Sequence, residues 1–510
     1  MPESPARLET SASTLVNHSS AEPDGQAALL GEKSAEQSSK ADTSEPNSPQ
    51  RWSDFVARGP PLVRTPMRKN IILSIVALSG LLGPLTSAIY TPALTIVQND
   101  FATTDLLINL TITVATLTLG VAPLGWATVA DSFGRRPVLL LASLVAVAGC
   151  LGCYYSSTIV AFLVWRVVQS AGCSAGMSVG AGVIADIFEK EQRGRAMGTF
   201  MLGPILGPVI SPPIGGALAQ SVGWRYIFIF CSAYALCIFL VTLLFLPETL
   251  TPLAPGAARP SRNPFTSFST LAHPFVFTMQ FVTTVAFASF YTFPPLVPRD
   301  WPQVYGFDSA GVGFVMMAMG LGMVIGTVVG GYVADYSLAR WKRKRGGVSI
   351  AEDRLWSSAP GWILLPAGMV AYGWLLQGRV AWPATMTAAI VIGLGQLFFN
   401  TSCNTYLVDI YQSRAASITA LGNFLRFSLG AFMPLIVVPA ASMNRGELYT
   451  ILAGIISVGV VGVYATARWG TVWRMRAQPW RERADREEVL RAWRGEVGVG
   501  KGKGDDETVA

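Results

Sequence analysis

The chain has 510 residues, of which 51% are hydrophobic and 14% charged, with a mean hydropathy of +0.43. A soluble surface draws on about a quarter charged residues, so a string of soluble domains is excluded. This holds all the more because 35 of the 69 charges fall in residues 1–70 and 468–510. Six Cys, all in apolar runs, exclude a disulfide scaffold and read as reduced packing residues; two His exclude a His-based metal site; the net charge of +7 reads as membrane topology, not nucleic-acid affinity.

Residues 1–70 are rich in Ser, Ala, Glu and Pro, have no apolar run long enough to pack, and are expected to be disordered. They lack a basic n-region followed by an apolar h-region, so no signal peptide is expected. From Ile71 onward, stretches of the roughly 20 apolar residues that a spanning helix needs recur twelve times. They run at about 71–96, 104–128, 137–156, 158–186, 196–220, 224–246, 273–297, 308–333, 359–377, 381–407, 415–438 and 447–468. The even-numbered loops carry fourteen Arg and Lys, from Arg135 and Arg136 through Arg340 and Lys342 to Arg354 and Arg414. The odd-numbered loops carry four: Arg225, Arg299, Arg379 and Arg445. The positive-inside bias therefore puts both termini and all even loops in the cytoplasm.

The longest internal loop contains Pro252, Pro255, Pro260 and Pro264 and divides the twelve spans into six and six. The expected organisation is a cytoplasmic tail (1–70), a six-helix half (71–247), a cytoplasmic linker (248–272), a second six-helix half (273–468) and a charged cytoplasmic tail (469–510). Two such halves suggest an internally repeated transporter with a path between them. A trace of the repeat survives. Ala127-x-x-x-Asp131 follows the second helix and Gly331-x-x-x-Asp335 the eighth, each followed by basic residues (Arg135 and Arg136; Arg340 and Lys342).

Taken in chain order, the polar exceptions to this apolar body are the candidate functional residues. Asp131-Ser132-Phe133-Gly134-Arg135-Arg136-Pro137 gathers an acid, a Gly turn and two Arg at the cytoplasmic face. A carboxylate there can latch an Arg or a helix N-terminus in one conformation and release it in another; an ordinary basic turn is the alternative. Arg166 lies well inside the fourth helix with Gln169 on the same face. An Arg at a helix centre costs about 2.5–3.5 kcal/mol on insertion scales, which points to a partner or a cavity unless it snorkels to the outer interface. The fifth helix, from Gly203-Pro204 to Gly215-Gly216, repeats small residues and Pro every four positions, giving a tightly docking, bent helix. The seventh carries Phe287, Phe290, Tyr291 and Phe293, readable as packing or as a binding wall. Gln396, Asn400 and Asn404 form one stripe of the tenth helix, and Asn423 and Arg426 lie in the eleventh, with Arg426 near mid-membrane. No Asp or Glu is expected deep in a span, since Asp105, Asp186, Glu248 and Asp409 fall near helix ends. That argues for a neutral or anionic substrate.

The Asp131–Arg136 segment resembles the signature loop of the major facilitator superfamily, with Ala127 and Ser132 departing from its usual Gly and Arg. Arg166 and Gln169 are similar to the fourth-helix motif associated with proton coupling in that family, with Ser170 in place of its Gly. Gly207, Pro212, Gly215 and Gly216 resemble the antiporter motif, with Ser211 for its second Gly. Together with Leu246-Pro247-Glu248-Thr249-Leu250, they resemble the fungal twelve-helix drug:proton antiporter-1 group over about residues 70–470.

The resemblance implies an all-α membrane protein of twelve helices in two six-helix halves. It further implies a proton-coupled exporter of a secondary metabolite, organic acid or drug, with Arg166, Gln169, Asp131, Arg135 and Arg136 in coupling. Arg426, Asn400, Asn404, Gln396 and Tyr291 are candidates for the substrate. No cofactor is expected beyond the proton gradient, and no nucleic acid. The expected partners are protons, a small molecule and the bilayer of the plasma membrane, around a monomer. A narrow organic-acid exporter and, further off, a nutrient-uptake symporter are the rivals. An enzyme would need a catalytic cluster, and only His273 lies in the body.

Overall fold

The computed structural model describes residues 65–188, 190–250, 264–344, 350–411, 415–437 and 443–477. Residues 1–64 and 478–510 of the expected tails and 251–263 of the linker fall outside these, whereas 66–70 and 469–477, expected in the tails, belong to the first and last helices. Among the described residues, twelve helices are long and apolar enough to cross a membrane. They are α1 (Pro66–Asp100), α2 (Asp105–Phe133), α3 (Arg135–Tyr155), α4 (Ile159–Ile187), α5 (Lys190–Ser221), α6 (Arg225–Phe245), α7 (Pro274–Tyr305), α8 (Ser309–Lys344), α9 (Asp353–Gln377), α10 (Trp382–Ile410), α11 (Ala415–Val437) and α12 (Arg445–Ala477). Among the described residues there is no strand.

Several helices outrun their apolar stretch. α8 continues to Lys344, so Arg340, Lys342, Arg343 and Lys344 belong to the helix rather than to a loop. Cations in a last helical turn also face the negative end of the helix dipole. α7 runs eight residues past its expected end at 297, which brings Asp300 inside it. Three spans are interrupted: α1 by a 3-10 turn at Thr91–Ala93, α7 between Phe290 and Phe293, and α9 at Ser358.

The pairing of helices repeats. In the first six, α3 packs on α4 and α6, α2 on α4, and α1 on α5; in the last six, α9 packs on α10 and α12, α8 on α10, and α7 on α11. Adding six to each number of the first set gives the second. The pairings that cross between the sets, α5 with α8 and α2 with α11, exchange under the same shift. The buried apolar clusters respect the division, since each draws its residues from one set of six alone. Large apolar side chains such as Leu141, Val164, Phe277, Phe314 and Val458 face outward on the flanks, as a lipid-facing surface requires.

The two sets touch closely at the end that carries the odd-numbered loops. A Cβ on Gly216 of α5 would lie 2.2 Å from the Ser309 carbonyl oxygen, and one on Gly313 of α8 would lie 2.5 Å from that of Pro212. Polar links join the sets there: Arg299 to Asp105 at 3.0 Å, Gln220 to Asp308 at 2.8 Å, and Thr91 to Met316 at 3.4 Å. Eighteen residues are five full turns of an ideal α-helix, so Gly198 shares the Gly216 face of α5 and Gly331 the Gly313 face of α8. Neither Gly198 nor Gly331 has an atom within 4 Å of a built Cβ. The helices that touch at one end of the bundle have parted at the other.

Candidate functional site: a central cavity and its charged surroundings

Between the two sets lies a cavity of about 250 Å³. Its wall is apolar almost throughout: Pro84 and Ala88 from α1, Leu119 from α2, Pro204, Pro208 and Pro212 from α5, Phe287, Phe290 and Tyr291 from α7, and Met316, Met319 and Met323 from α8. The Met cluster was not foreseen, because Met in an apolar span carries no pattern that marks a wall. Among the lining residues Arg426 alone is charged, and Asn400 and Asn423 flank it. Arg426 is 5% exposed. Its Nη1 donates to Asn400 Oδ1 (3.1 Å) and Asn404 Oδ1 (3.0 Å), and its Nη2 to Asn423 Oδ1 (2.7 Å). Its partners among the described residues are thus neutral amides, which orient the guanidinium but leave its charge in place.

The α10 stripe divides its labour. Asn400 faces the cavity, whereas Asn404 sits behind it, bonded to Asn400 and Arg426. Gln396 does not line the cavity. Its amide nitrogen faces Ala286 O (3.1 Å) and its oxygen Phe287 N (3.3 Å), so it ties α10 to the α7 backbone. Of the α7 aromatics, Phe287, Phe290 and Tyr291 reach the cavity, and Phe293 is buried in the core.

The α5 motif residues act as contact points. A Cβ on Gly215 would meet Ile89 O of α1 at 1.6 Å, and one on Gly207 would meet Pro84 at 2.7 Å, while Gly216 faces α8 as described. Pro212 lines the cavity. It also removes the donor that Pro208 O would have in a helix, and Gly320 of α8 packs where that carbonyl and Val209 lie.

Arg166 is 1% exposed and does not snorkel. It lies outside the cavity wall, inside the first set of six. Nη1 donates to Gln169 Oε1 at 2.7 Å and to Thr86 O at 3.4 Å, and the guanidinium sits 4.7 Å from the Tyr90 ring centre. Gln169 donates on to Cys150 Sγ at 3.3 Å. All six Cys are free; five are buried, and Cys237 is exposed.

At the even-loop end the Asp131 segment forms a bridged cluster. Arg135 holds Asp131 (2.6 Å) and Asp186 (3.2 Å). Glu248, to which the sequence assigned no role, accepts from the backbone N–H of Arg135 (3.0 Å) and Arg136 (3.2 Å), capping α3. Gly134 has φ +106°, and a Cβ there would meet Glu248 at 2.5 Å, so both turn and cap require Gly. Arg136 is fully buried and donates to Leu243 O at 2.6 Å. The repeat is completed differently from expectation. Asp335 is held by Arg354 (2.7 Å), which also takes Asp409 (2.5 Å), rather than by Arg340 or Lys342. Arg354 thus occupies in the second set the role of Arg135 in the first, and Asp409 is engaged there rather than reaching inward.

A helix boundary is corrected. Asp300, beyond the expected end of the seventh span, lies inside α7 near its odd-loop end, 5% exposed, and is bound at both oxygens by Arg445 at the start of α12 (2.8 Å each). Arg299 and Arg445, expected in loops, thus belong to helices. Asp300 lies outside the cavity wall, and among the described residues that wall contains no acid.

A family model for the Major Facilitator Superfamily matches residues 76–434. The chain belongs to that superfamily. As a superfamily member it is a multi-pass membrane transporter of small molecules and not an enzyme. It is 29% identical to citrate exporter 1 of Aspergillus niger over 458 residues, covering 80% of this chain and 87% of that one. It is 24% identical to MFS antiporter QDR3 of Candida albicans, covering 80% and 78%. Among solved structures it shares the fold of a bacterial homolog of the human lysosomal transporter Spinster in an inward-facing, unoccupied conformation. There the TM-score is 0.59, at 16% identity over 84% of this chain and 98% of that one.

Proposed function

We propose that the protein exports a small organic molecule, neutral or anionic, in exchange for protons. The membrane is taken to be the plasma membrane, with both termini in the cytoplasm. The observation that carries the charge selectivity is Arg426, a buried cation in the cavity wall bonded to neutral amides, with no acid in that wall. A lipophilic cation would be repelled there, and an anion drawn in. Export agrees with the likeness to a citrate exporter, to an MFS antiporter and to a multidrug transporter. With the basic even loops inside, the parted helix ends face the cytoplasm, the side from which an exporter loads.

Proton coupling is supported by the even-loop clusters. In each, two carboxylates share one guanidinium: Asp131 and Asp186 on Arg135, and Asp335 and Asp409 on Arg354. Each group carries one surplus negative charge that a proton can neutralise, freeing an Arg to move. Arg166 and Gln169 are the expected coupling pair within the first half, and Arg135 and Arg136 the latch.

The test is flux from proteoliposomes holding the full chain, with and without an imposed pH gradient, and competition by charged analogues. Flux indifferent to the gradient would remove the proton coupling. Micromolar competition by lipophilic cations with none by organic acids would overturn the charge assignment and favour a broad drug exporter.

A further inference from the structure

We infer that the cavity takes an amphiphilic monoanion: a single carboxylate, or an acid group of equal charge, on an apolar body, docked on the open edge of Arg426. This rests on the exporter reading and narrows it.

A guanidinium has five N–H donors. Three of those of Arg426 go to Asn400, Asn404 and Asn423. Nε–H and the second hydrogen on Nη2 have no acceptor among the described residues. Two parallel donors are what one carboxylate takes from one Arg. The three amide bonds fix the guanidinium plane, so the remaining donors are oriented before a ligand arrives. Because they are neutral, the ligand itself must supply the counter-charge.

The rest of the wall argues for one charge only. Apart from the hydroxyls of Ser87, Thr91 and Tyr291 and the two flanking amides it presents carbon and sulfur, as from Met319 and Met323 of α8 and Phe287 of α7, and no second cation stands among the described lining residues. A second carboxylate on the ligand would find only neutral donors and be buried without a counter-charge, a position that buried ions avoid. Unbranched Met side chains adapt to the shape they meet. The site is therefore strict about the number of charges and tolerant about the shape of the body.

The probe is radiolabelled 4-phenylbutyrate binding to the full chain in lipid nanodiscs, without any gradient. Its methyl ester and citrate should each compete at least tenfold less well than unlabelled 4-phenylbutyrate. Arg426→Gln should weaken the acid tenfold or more and leave the ester unchanged. Should that variant not fold, Met319→Arg adds a second cation to the facing wall and should raise the affinity for phenylsuccinate, a dicarboxylate, at least fivefold. The inference is overturned if 4-phenylbutyrate does not bind, if citrate binds as tightly as 4-phenylbutyrate, if tetraphenylphosphonium displaces it with equal potency, or if Met319→Arg brings no gain. Binding in the expected order without gradient-driven flux would remove the exporter reading and leave the ligand class standing. Gradient-driven flux of citrate or of a cation would do the reverse.

Discussion

Placing an alanine at each end of the α5–α8 seam should push the transporter in opposite directions. A Cβ on Gly313 would lie 2.5 Å from Pro212 O and one on Gly216 2.2 Å from Ser309 O. A tolerable approach starts near 3.0 Å, so each substitution forces the helices apart at the odd-loop end by roughly half an ångström or more. Overpacking of this kind costs about 1–3 kcal/mol, and this is a shift of about 5- to 150-fold in a two-state equilibrium. Gly313→Ala and Gly216→Ala should therefore deplete the present conformation in favour of the one open at the odd-loop end. Gly198→Ala and Gly331→Ala meet no atom within 4 Å here. They would obstruct only a state in which the even-loop end closes, and so should enrich the present one. The helix propensity gained from Gly to Ala is the same in both states and cancels. Spin-label distances between Phe133 and Tyr336, both exposed at the even-loop end, report the equilibrium. Shorter distances are expected in the first pair of variants and longer ones in the second. The same distribution in all four would refute a seam that rocks about its middle.

Arg166→Ala should reach the membrane folded and lose most gradient-driven flux, and Arg166→Lys should also impair it, since a Lys cannot bond Gln169 and lie flat on Tyr90 at once; undiminished flux in either would detach Arg166 from coupling. Glu248→Gln removes the charge that caps α3 at two backbone N–H groups and should lower stability by about 1–2 kcal/mol, read as a fall in Tm. Asp131→Asn should change Cys accessibility of the central cavity more than substrate affinity, because Asp131 lies outside the cavity wall and in the Arg135 cluster. The Gly311 N–H and the Gln220 amide hold the Asp308 carboxyl below its ordinary value of 3.8. The link it makes from α5 to the start of α8 is then fully present above pH 3.8 and lost only as the pH falls through the lowered value. Odd-loop-end distances should stay constant from pH 7 to 5 and loosen below 3.8, and Asp308→Ala should reduce that dependence to what the Arg299–Asp105 link contributes.

The sequence by itself determined the number of spans, their order and the places where polar groups interrupt them. The reason is that hydropathy is a sum over neighbours in the chain. A guanidinium in an apolar helix is conspicuous without knowledge of the fold, so Arg166 and Arg426 stood out, as did the Gly and Pro spacing of α5. Helix ends were less legible, because α7 and α8 continue past their apolar stretch, and α7 thereby takes in Asp300. What only the tertiary structure decided was the partner of each polar group. Arg166 and Arg426 look alike in sequence, yet one is enclosed by Gln169, Thr86 and Tyr90 while the other opens on a cavity. Gln396 and Asn400 share a stripe, yet one binds backbone and the other lines the wall. Arg354 took Asp335 although Arg340 and Lys342 stand nearer in the chain. In a membrane the partner of a buried polar group is supplied by whichever helix packs beside it, and that helix can lie a hundred or more residues away, beyond the reach of any local pattern.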